Sequence, residues 1–200
     1  MIMSTPDRRA LIVDAAIELI AAQGIRALTH RALDTALTLP AGSSSYYYRT
    51  KRALIEAIVE RITSRSRADF TTAQLAPPGS LMPESVAAAI AAWLDRLLAE
   101  RRSHLIVRHA LILELLPDAD LRPRLARSLF SVERARDLFD VMEVADPEAA
   151  AADFIAVLEG AVFDRFAGTR ADLTPGTAHS VGQLTALLSA FFRGVGAEQR

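Results

Sequence analysis

The sequence contains no cysteine among its 200 residues. This absence excludes disulfide bonds, zinc sites built on thiolates and a cysteine nucleophile, and it is compatible with a reducing cytoplasm. The longest segment without Asp, Glu, Lys or Arg runs from Leu173 to Phe192 and contains Pro175, Gly176 and His179, a composition that a membrane span disfavours. The opening residues lack the apolar core of a secretory signal. We therefore expect a cytoplasmic protein that does not enter a membrane.

Several enzyme motifs are also missing. No Glu-x-x-His pair indicates a di-iron carboxylate site, and no two of the four histidines are spaced four apart to hold zinc on one helix. Neither Gly-x-Ser-x-Gly nor a Gly-rich loop ending in Lys-Ser/Thr occurs. The sequence thus predicts neither an enzyme nor a bound metal or cofactor.

Apolar residues recur every three or four positions, and apolar-polar alternation with a period of two is missing, which predicts an all-helical fold. With 51% hydrophobic residues, the chain can bury a core in one or two domains. Capping residues, Pro and Gly mark the expected ends. We predict a first helix from Thr5 to Gly24, a second over 30–37 capped by Thr29, a short third segment from Pro40, and a fourth from Lys51 to Thr72 capped by Thr50.

The segment LAPPGS ends this part of the chain, and five longer helices are predicted beyond it. They cover about 83–101, 103–116, 120–143, 147–167 and 177–194. Ser103 and Asp146 are the expected caps, and Gly168 fits just beyond a helix end.

Charge is divided unevenly along the chain. Residues 1–67 contain 10 Lys and Arg against 6 Asp and Glu, whereas residues 68–200 contain 13 against 18. The first part therefore has a net charge of +4 and the rest −5, which gives the total of −1. A basic N-terminal part is compatible with nucleic-acid binding, although solvated helical faces carry similar runs.

The most informative segment is THRALDTALTLPAGSSSYYYRTK, from Thr29 to Lys51. Two short helices joined by a tight turn are typical of a helix-turn-helix, whose second helix lies in the major groove of DNA. Small residues at the start of that helix allow close approach, and serine hydroxyls can donate to or accept from base edges.

The three tyrosines of the chain are consecutive, at 46–48. Their rings must point to different sides, so one is expected in the core and the others on the surface. Exposed tyrosines beside Arg49 are suited to phosphate contacts. Lys51, the only lysine, lies at the start of a helix whose free N–H groups also favour phosphate, and residues 29–31 repeat this arrangement at the second helix.

The last two predicted helices carry apolar positions spaced by three and four, with few charges beside them. This pattern favours a homodimer interface, while burial inside a monomer is the alternative. The residues concerned are Ile155, Leu158, Val162, Phe166, Val181, Leu184, Leu188, Phe191 and Val195.

The first 67 residues resemble the DNA-binding domain of TetR-family transcriptional regulators. The shared pattern is helix, Gly, Thr, short helix, turn, Gly-Ser-x-x-Tyr-Tyr, aromatic, Arg-Thr-Lys, then Leu. Tyr48 takes the place of a core Phe in that pattern. The sequence departs from the pattern at two places. In the turn, Leu37, Thr38 and Leu39 stand where Ala-Gly-Val is common. In the third segment, Ser45 stands where a phosphate-binding Tyr is frequent. Tyr46 or Tyr47 is left for that contact.

The resemblance implies a homodimeric regulator that binds double-stranded DNA. By default it would be a repressor that binds a pseudo-palindromic operator and is released by an unknown small-molecule effector. The implied domains are 1–52 for DNA binding, 53–75 as a connecting helix, and 76–200 for regulation and dimerisation. The residues expected to face DNA are Thr29, His30, Arg31, Ala41, Gly42, Ser43, Ser44, Ser45, Tyr46, Tyr47 and Lys51.

In the resembled family the helical body encloses an effector pocket, and such pockets combine aromatic walls with few polar groups. The candidates here are Trp93, His104, Arg108, His109, Leu111, Glu114, Phe130, Phe139 and Phe163. The rival hypothesis is a helical small-molecule-binding or interaction protein without DNA binding. Salt-dependent affinity for duplex DNA would distinguish the two.

Overall fold

The computed structural model describes residues 5–72 and 82–197, and within these ranges it contains helices and no strands. The predicted all-helical fold is confirmed. In chain order the helices are α1 (Thr5–Gln23), α2 (His30–Ala36), α3 (Ser43–Tyr47), α4 (Lys51–Thr72), α5 (Pro83–Glu100), α6 (Arg102–Glu114), α7 (Leu121–Ala126), α8 (Val132–Val141), α9 (Pro147–Ala167) and α10 (Ala178–Ala197), with a 3₁₀ turn over Ile25–Ala27.

The predicted ends of the N-terminal helices agree with the structure. α1 ends before Gly24, which has a φ of 81°. Thr29 caps α2 by accepting from the N–H of Ala32 at 3.1 Å, and Thr50 caps α4 by accepting from Ala53 at 3.1 Å. The third segment starts later than predicted, because Gly42 rather than Pro40 precedes its first turn.

The predicted helix over 120–143 is instead two helices, α7 and α8. The guanidinium of Arg108 donates to the carbonyl oxygens of Leu125 at 3.1 Å and Ala126 at 2.9 Å. These bonds satisfy carbonyl groups at the end of α7, where the last turn of a helix leaves such groups without an intrahelical partner. Ser131 then caps α8 by accepting from the N–H of Arg134 at 3.2 Å.

Two of the three predicted boundary residues in the C-terminal part are confirmed. Asp146 caps α9 by accepting from the N–H of Ala149 at 3.0 Å, and Gly168 follows its last turn. Ser103 is not a cap, because α6 already begins at Arg102. The Ser103 hydroxyl instead donates to Glu18 Oε2 at 2.8 Å.

The chain forms two compact units. The first contains the described residues of Met1–Asp69 together with Ser103–Leu129, and the second contains those of Phe70–Arg102 and Phe130–Arg200. This division differs from the predicted domains, because α6 and α7 share a core with the helix-turn-helix. Leu111, Leu121 and Leu125 belong to the same buried cluster as Ile12 and Ile58.

The second unit is built from α5, α8, α9 and α10, with α10 packed along α5 and α8 along α9. Four phenylalanines form its aromatic centre, with ring centroids 5.3 to 6.1 Å apart. They are Phe139, Phe154, Phe191 and Phe192.

Within the described ranges, none of the helices has the length and hydropathy that a bilayer span requires.

Candidate nucleic-acid interface and ligand cavity

Asp34 holds the two short helices together. The residue lies in α2 and is 5% exposed. Its Oδ1 accepts a hydrogen bond from the N–H of Ser44 and its Oδ2 accepts from the N–H of Gly42, both at 2.8 Å. Burial alone would raise the pKa of this carboxyl, but the N–H groups of Ser44 and Gly42 and the Ser44 hydroxyl outweigh burial and lower it.

Asp34 has no local sequence pattern that marks it as a structural residue. The sequence shows only an acidic residue in a short helix, eight positions before the glycine that precedes the next helix. This spacing indicates a contact only when the turn is known to bring the start of α3 back against α2. The carboxylate then reaches the free N–H groups at the start of α3.

Ser44 lies inside the motif and not on its outer face. Its side chain is fully buried, its hydroxyl donates to the carbonyl oxygen of His30 at 3.1 Å, and His30 Nδ1 lies 3.2 Å from the same hydroxyl. The expectation that Ser44 faces DNA is therefore corrected, because a buried hydroxyl cannot reach a base edge. His30 is half-buried by the same contact.

The outer face contains most of the other predicted residues. Thr29, Arg31, Ala41, Gly42, Tyr46 and Lys51 are exposed, and Ser43, Ser45 and Tyr47 are half-buried. The hydroxyls of Ser43 and Ser45 donate to the carbonyl oxygens of Pro40 at 2.6 Å and Gly42 at 2.8 Å. Both oxygens can still accept a hydrogen bond from a partner.

The three tyrosines divide as predicted between core and surface. Tyr48 is 7% exposed and belongs to the core of the first unit, whereas Tyr46 is 76% exposed. Tyr47 is half-buried and packs edge-on against Tyr46, with centroids 5.2 Å apart. Burial raises the pKa of the Tyr48 hydroxyl, an effect that the charge of Arg9 partly offsets.

The cations of this region fall into two groups. Arg52 pairs with Glu56 at 2.6 Å and with Asp118, so its charge is compensated within the protein. Arg31, Arg49 and Lys51 are exposed, and the part of the chain that the structure describes provides them with no carboxylate partner. These three exposed side chains therefore carry positive charge that no described carboxylate compensates.

The turn between α2 and α3 contains a strained residue. Thr38 has a φ of 52°, a value that costs a β-branched side chain free energy and that glycine adopts without penalty. It is the position at which the resembled family commonly has Gly. Gly42, at the end of the same turn, has a φ of 87°.

The second unit contains a cavity of about 360 Å³, which is within the usual range for small-molecule sites. Four aromatic side chains, Phe70, Trp93, Phe130 and Phe154, form part of its wall. Trp93 packs edge-on against Phe70 and Phe130, with centroids 5.5 and 6.0 Å away. The polar residues of the lining are Ser131, Arg134 and Asp137.

The structure brings together only two of the nine residues predicted for a pocket, Trp93 and Phe130. Phe139 is fully buried in the aromatic centre, and Phe163 is 45% exposed on α9. The remaining five residues lie on α6, which packs in the first unit, so none of them lines this cavity. They are His104, Arg108, His109, Leu111 and Glu114. Phe70, Arg134 and Phe154 also line the cavity but were not among the predicted residues. They lie on separate helices, and the spacing of residues along the sequence does not reveal which side chains of different helices meet.

The residues predicted for a dimer interface also divide into two groups. Leu158, Val162, Leu184 and Leu188 are 0–3% exposed within a single chain and so belong to the core of the protomer. Ile155, Phe166, Val181, Phe191 and Val195 are half-buried. The outward positions of α9 and α10 carry small residues, Ala152, Ala156, Gly160, Gly182, Ala186, Ala190 and Gly194.

Comparison with known families identifies the fold. The profile described as "Bacterial regulatory proteins, tetR family" matches residues 12–58, and "Tetracyclin repressor-like, C-terminal domain" matches residues 81–195. The chain belongs to the TetR family. It is thus a DNA-binding transcriptional regulator by family, and TetR-family regulators are generally not enzymes.

Solved structures with the TetR fold cover nearly the whole chain. A TetR-family member from Streptomyces coelicolor A3 is 24% identical, with 91% of this chain and 98% of that chain covered and a TM-score of 0.65. A transcriptional regulator from Rhodococcus sp. Rha1 is 15% identical, with 93% and 96% covered and a TM-score of 0.68. The multidrug binding protein EbrR complexed with ethidium is 24% identical, with 90% and 98% covered and a TM-score of 0.58. None of the curated proteins matches the chain.

Proposed function

We propose that this TetR-family protein is a homodimeric repressor that binds a pseudo-palindromic operator and is released by a small molecule bound in the cavity of its second unit. The observation that carries the DNA-binding part is the outer face of α2 and α3. Tyr46 of α3 is exposed there, and Arg31 of α2 and the residues Arg49 and Lys51 that follow α3 are exposed cations without a carboxylate partner among the described residues. Such a face suits the phosphates and base edges of a major groove.

The roles of the residues follow from their positions. Lys51 and Thr29 lie at the starts of α4 and α2, where free N–H groups and the helix dipole favour phosphate. Ser43 is the first residue of α3, Ala41 lies two residues before it and Tyr46 lies within the same short helix, and the first residues of a recognition helix contact base edges. We assign phosphate contacts to the first group and sequence preference to the second.

The dimer is proposed to form through the outward faces of α9 and α10. Their exposed alanines and glycines carry no charge, and an added Cβ at Gly160 or Gly182 would meet no neighbouring element within 4 Å. Phe163 is 45% exposed on α9 as well. Apolar helix surface of this kind is stabilised when a second copy covers it. Two α3 helices about 34 Å apart would then match successive major grooves.

The effector site is proposed to be the aromatic cavity. EbrR, which has the same fold, is a multidrug binding protein that holds ethidium. α4 begins at Lys51 and its last turns contribute Phe70 to the cavity wall, so a ligand that moves Phe70 acts on the helix that begins at the DNA-binding face. A ligand that binds better to the released form weakens DNA binding by the same factor.

The DNA-binding proposal is tested on duplexes selected from random sequence. We expect Lys51→Ala to weaken binding to all sequences and to reduce the slope of affinity against salt by about one unit. Tyr46→Ala and Ser43→Ala should instead change the preferred sequence. Arg96→Gln, at an exposed position on α5, is the control and should leave both unchanged. Equal losses on every sequence from all three interface variants would contradict the division of roles.

The dimer is tested by the solution mass. The wild type should sediment as twice the 21.7 kDa chain, and Ala186→Arg on α10 should sediment as a monomer. Ala92→Arg, at an exposed position of α5, should remain dimeric. A dimeric Ala186→Arg variant would rule out this face of α10.

The effector proposal is tested by filling the cavity. Leu138→Trp places a large ring in the lining of α8, whereas Val132→Trp changes an exposed residue of the same helix outside the lining. Compounds that release operator DNA from the wild type should release it from Val132→Trp and not from Leu138→Trp. Equal release from both variants would move the effector site elsewhere.

A further inference from the structure

The cavity contains three polar side chains, and two of them already have partners. The Ser131 hydroxyl accepts from the N–H of Arg134 at 3.2 Å and donates to Glu133 Oε2 at 2.9 Å. Asp137 Oδ1 accepts from Nη2 of Arg136, a residue outside the lining, at 3.1 Å. Neither group requires a ligand to satisfy it.

Arg134 is the exception. Its Cζ lies 4.9 Å from the centroid of the Phe70 ring, and among the described residues its guanidinium has no carboxylate or carbonyl partner. The ring face holds the guanidinium plane beside the cavity, as in other cation–π pairs. Its N–H donors form a planar fork that matches a carboxylate in two hydrogen bonds.

The rest of the wall is aromatic and aliphatic. Trp93 is 4% exposed and stands edge-on to both Phe70 and Phe130. Rings in this arrangement leave faces and edges against which a further ring can stack. The lining therefore offers an apolar surface for a ring and one unpaired cation at its edge.

We propose that the cavity takes small aromatic carboxylates, with the ring of the ligand against Trp93 and Phe130 and its carboxylate on Arg134. This inference rests on the proposed function, which makes the cavity the effector site. The proposed ligand class differs from the ligand of EbrR in that structure, because ethidium is an organic cation. In this cavity the charge of Arg134 would repel a cationic ligand. The one carboxylate of the lining, Asp137, is already paired with Arg136.

The experiment compares three probes of equal length on the full-length protein: 4-phenylbutanoate, 4-phenylbutanamide and 4-phenylbutylammonium. Trp93 is the only tryptophan and lines the cavity, so its fluorescence reports binding directly. We expect the carboxylate to bind at least about tenfold more tightly than the amide, and the ammonium to bind most weakly. Equal affinities, an ammonium that binds best, or no binding by any probe at millimolar concentration would overturn the proposal.

Variants assign the preference to Arg134. Arg134→Gln should bring carboxylate and amide to within about twofold of each other while amide affinity is retained, and Arg134→Lys should keep part of the preference because it keeps the charge. Arg96→Gln, which removes an exposed arginine outside the lining, should keep all of it. A preference that survives in Arg134→Gln would overturn the assignment.

Operator release is measured separately with the same probes. Arg134-dependent carboxylate binding without any change in operator affinity would support the ligand class and contradict the effector role. Release of the operator by other compounds that bind in the cavity, when none of the three probes binds there, would leave the proposed function standing and overturn this inference.

Discussion

The carboxylate of Asp34 accepts a hydrogen bond from the N–H of Gly42 across eight residues of chain, at 2.8 Å. The bond fixes the start of α3 against α2, and the second oxygen of the same carboxylate makes an equal contact to Ser44. The recognition helix has only five residues, too few to be stable alone. Its orientation against α2 is therefore fixed in large part by this carboxylate.

Replacement of Asp34 tests that dependence. Asp34→Asn keeps the shape but removes the charge and one acceptor, so we expect the free energy of unfolding to fall by about 1–3 kcal/mol and operator affinity to fall with it. Asp14→Asn is the control, because Asp14 forms an exposed ion pair with Arg61 at 2.7 Å and its loss should cost less than about 1 kcal/mol. Chemical denaturation of both variants measures the difference. An Asp34→Asn loss no larger than that of the control would contradict the bracing role.

The acid sensitivity of the fold gives a second prediction. Folding lowers the pKa of Asp34 below the ordinary value of 3.8. Its stabilising effect is therefore complete above that value and is lost as the pH falls through the lower folded-state pKa. We expect the stability gap between wild type and Asp34→Asn to stay constant near neutral pH and to narrow below about pH 4. Denaturation curves at a series of pH values measure the gap, and a gap that widens in acid would be inconsistent with a lowered pKa.

Thr38 gives a prediction of opposite sign. At its φ of 52°, Thr38→Gly should stabilise the protein by about 0.5–1 kcal/mol, because the relief of strain exceeds the entropy that glycine adds to the unfolded chain. Thr35→Gly, three residues earlier on the exposed side of α2, should destabilise by about 0.5 kcal/mol. Thermal unfolding of the pair checks both signs. Two losses of equal size would show that the turn is not strained at this residue.

A buried charged group in the second unit gives the last prediction. Arg165 is 1% exposed, its Nε and Nη1 have no hydrogen-bond partner among the described residues, and its Nη2 lies 4.0 Å from Asp95 Oδ1. Burial lowers the pKa of Arg165, and the charge of Asp95 counters that effect. The Ser180 hydroxyl donates to the same Asp95, whose other oxygen accepts from the N–H of Gly176 at 2.7 Å.

Removing the acid should leave an uncompensated charge in the core. We expect Asp95→Asn to cost about 3 kcal/mol or more, and Arg165→Met to cost much less in the Asp95→Asn background than in the wild type. Denaturation of the two single variants and the double variant completes the cycle. Strictly additive losses would mean that the two residues do not interact.

Local signals in the sequence were enough to predict most of the helices and the helix-turn-helix. Thr29, Thr50 and Asp146 cap helices because a side-chain oxygen reaches an N–H three residues ahead, which depends on neighbouring residues only. The division of the tyrosine run into core and surface rings was predictable for the same reason, since helical geometry turns consecutive side chains to different sides.

Contacts between distant residues were not predictable in this way. At the break between α7 and α8, Arg108 donates to the carbonyl oxygen of Leu125 from 17 residues earlier in the chain, and no local pattern encodes that reach. The cavity combines Phe70, Trp93 and Phe130 from separate parts of the chain, so the predicted pocket contained only two of these three rings.

The sequence by itself determined most of the helix ends, the family that the chain resembles, and the net positive charge of its N-terminal part. Only the tertiary structure decided that Ser44 and Asp34 lie inside the motif, that α6 and α7 share its core, and that Arg134 meets the aromatic cavity. The physical reason is range: capping and periodicity act over three or four residues, whereas packing brings together side chains that chain order leaves unrelated.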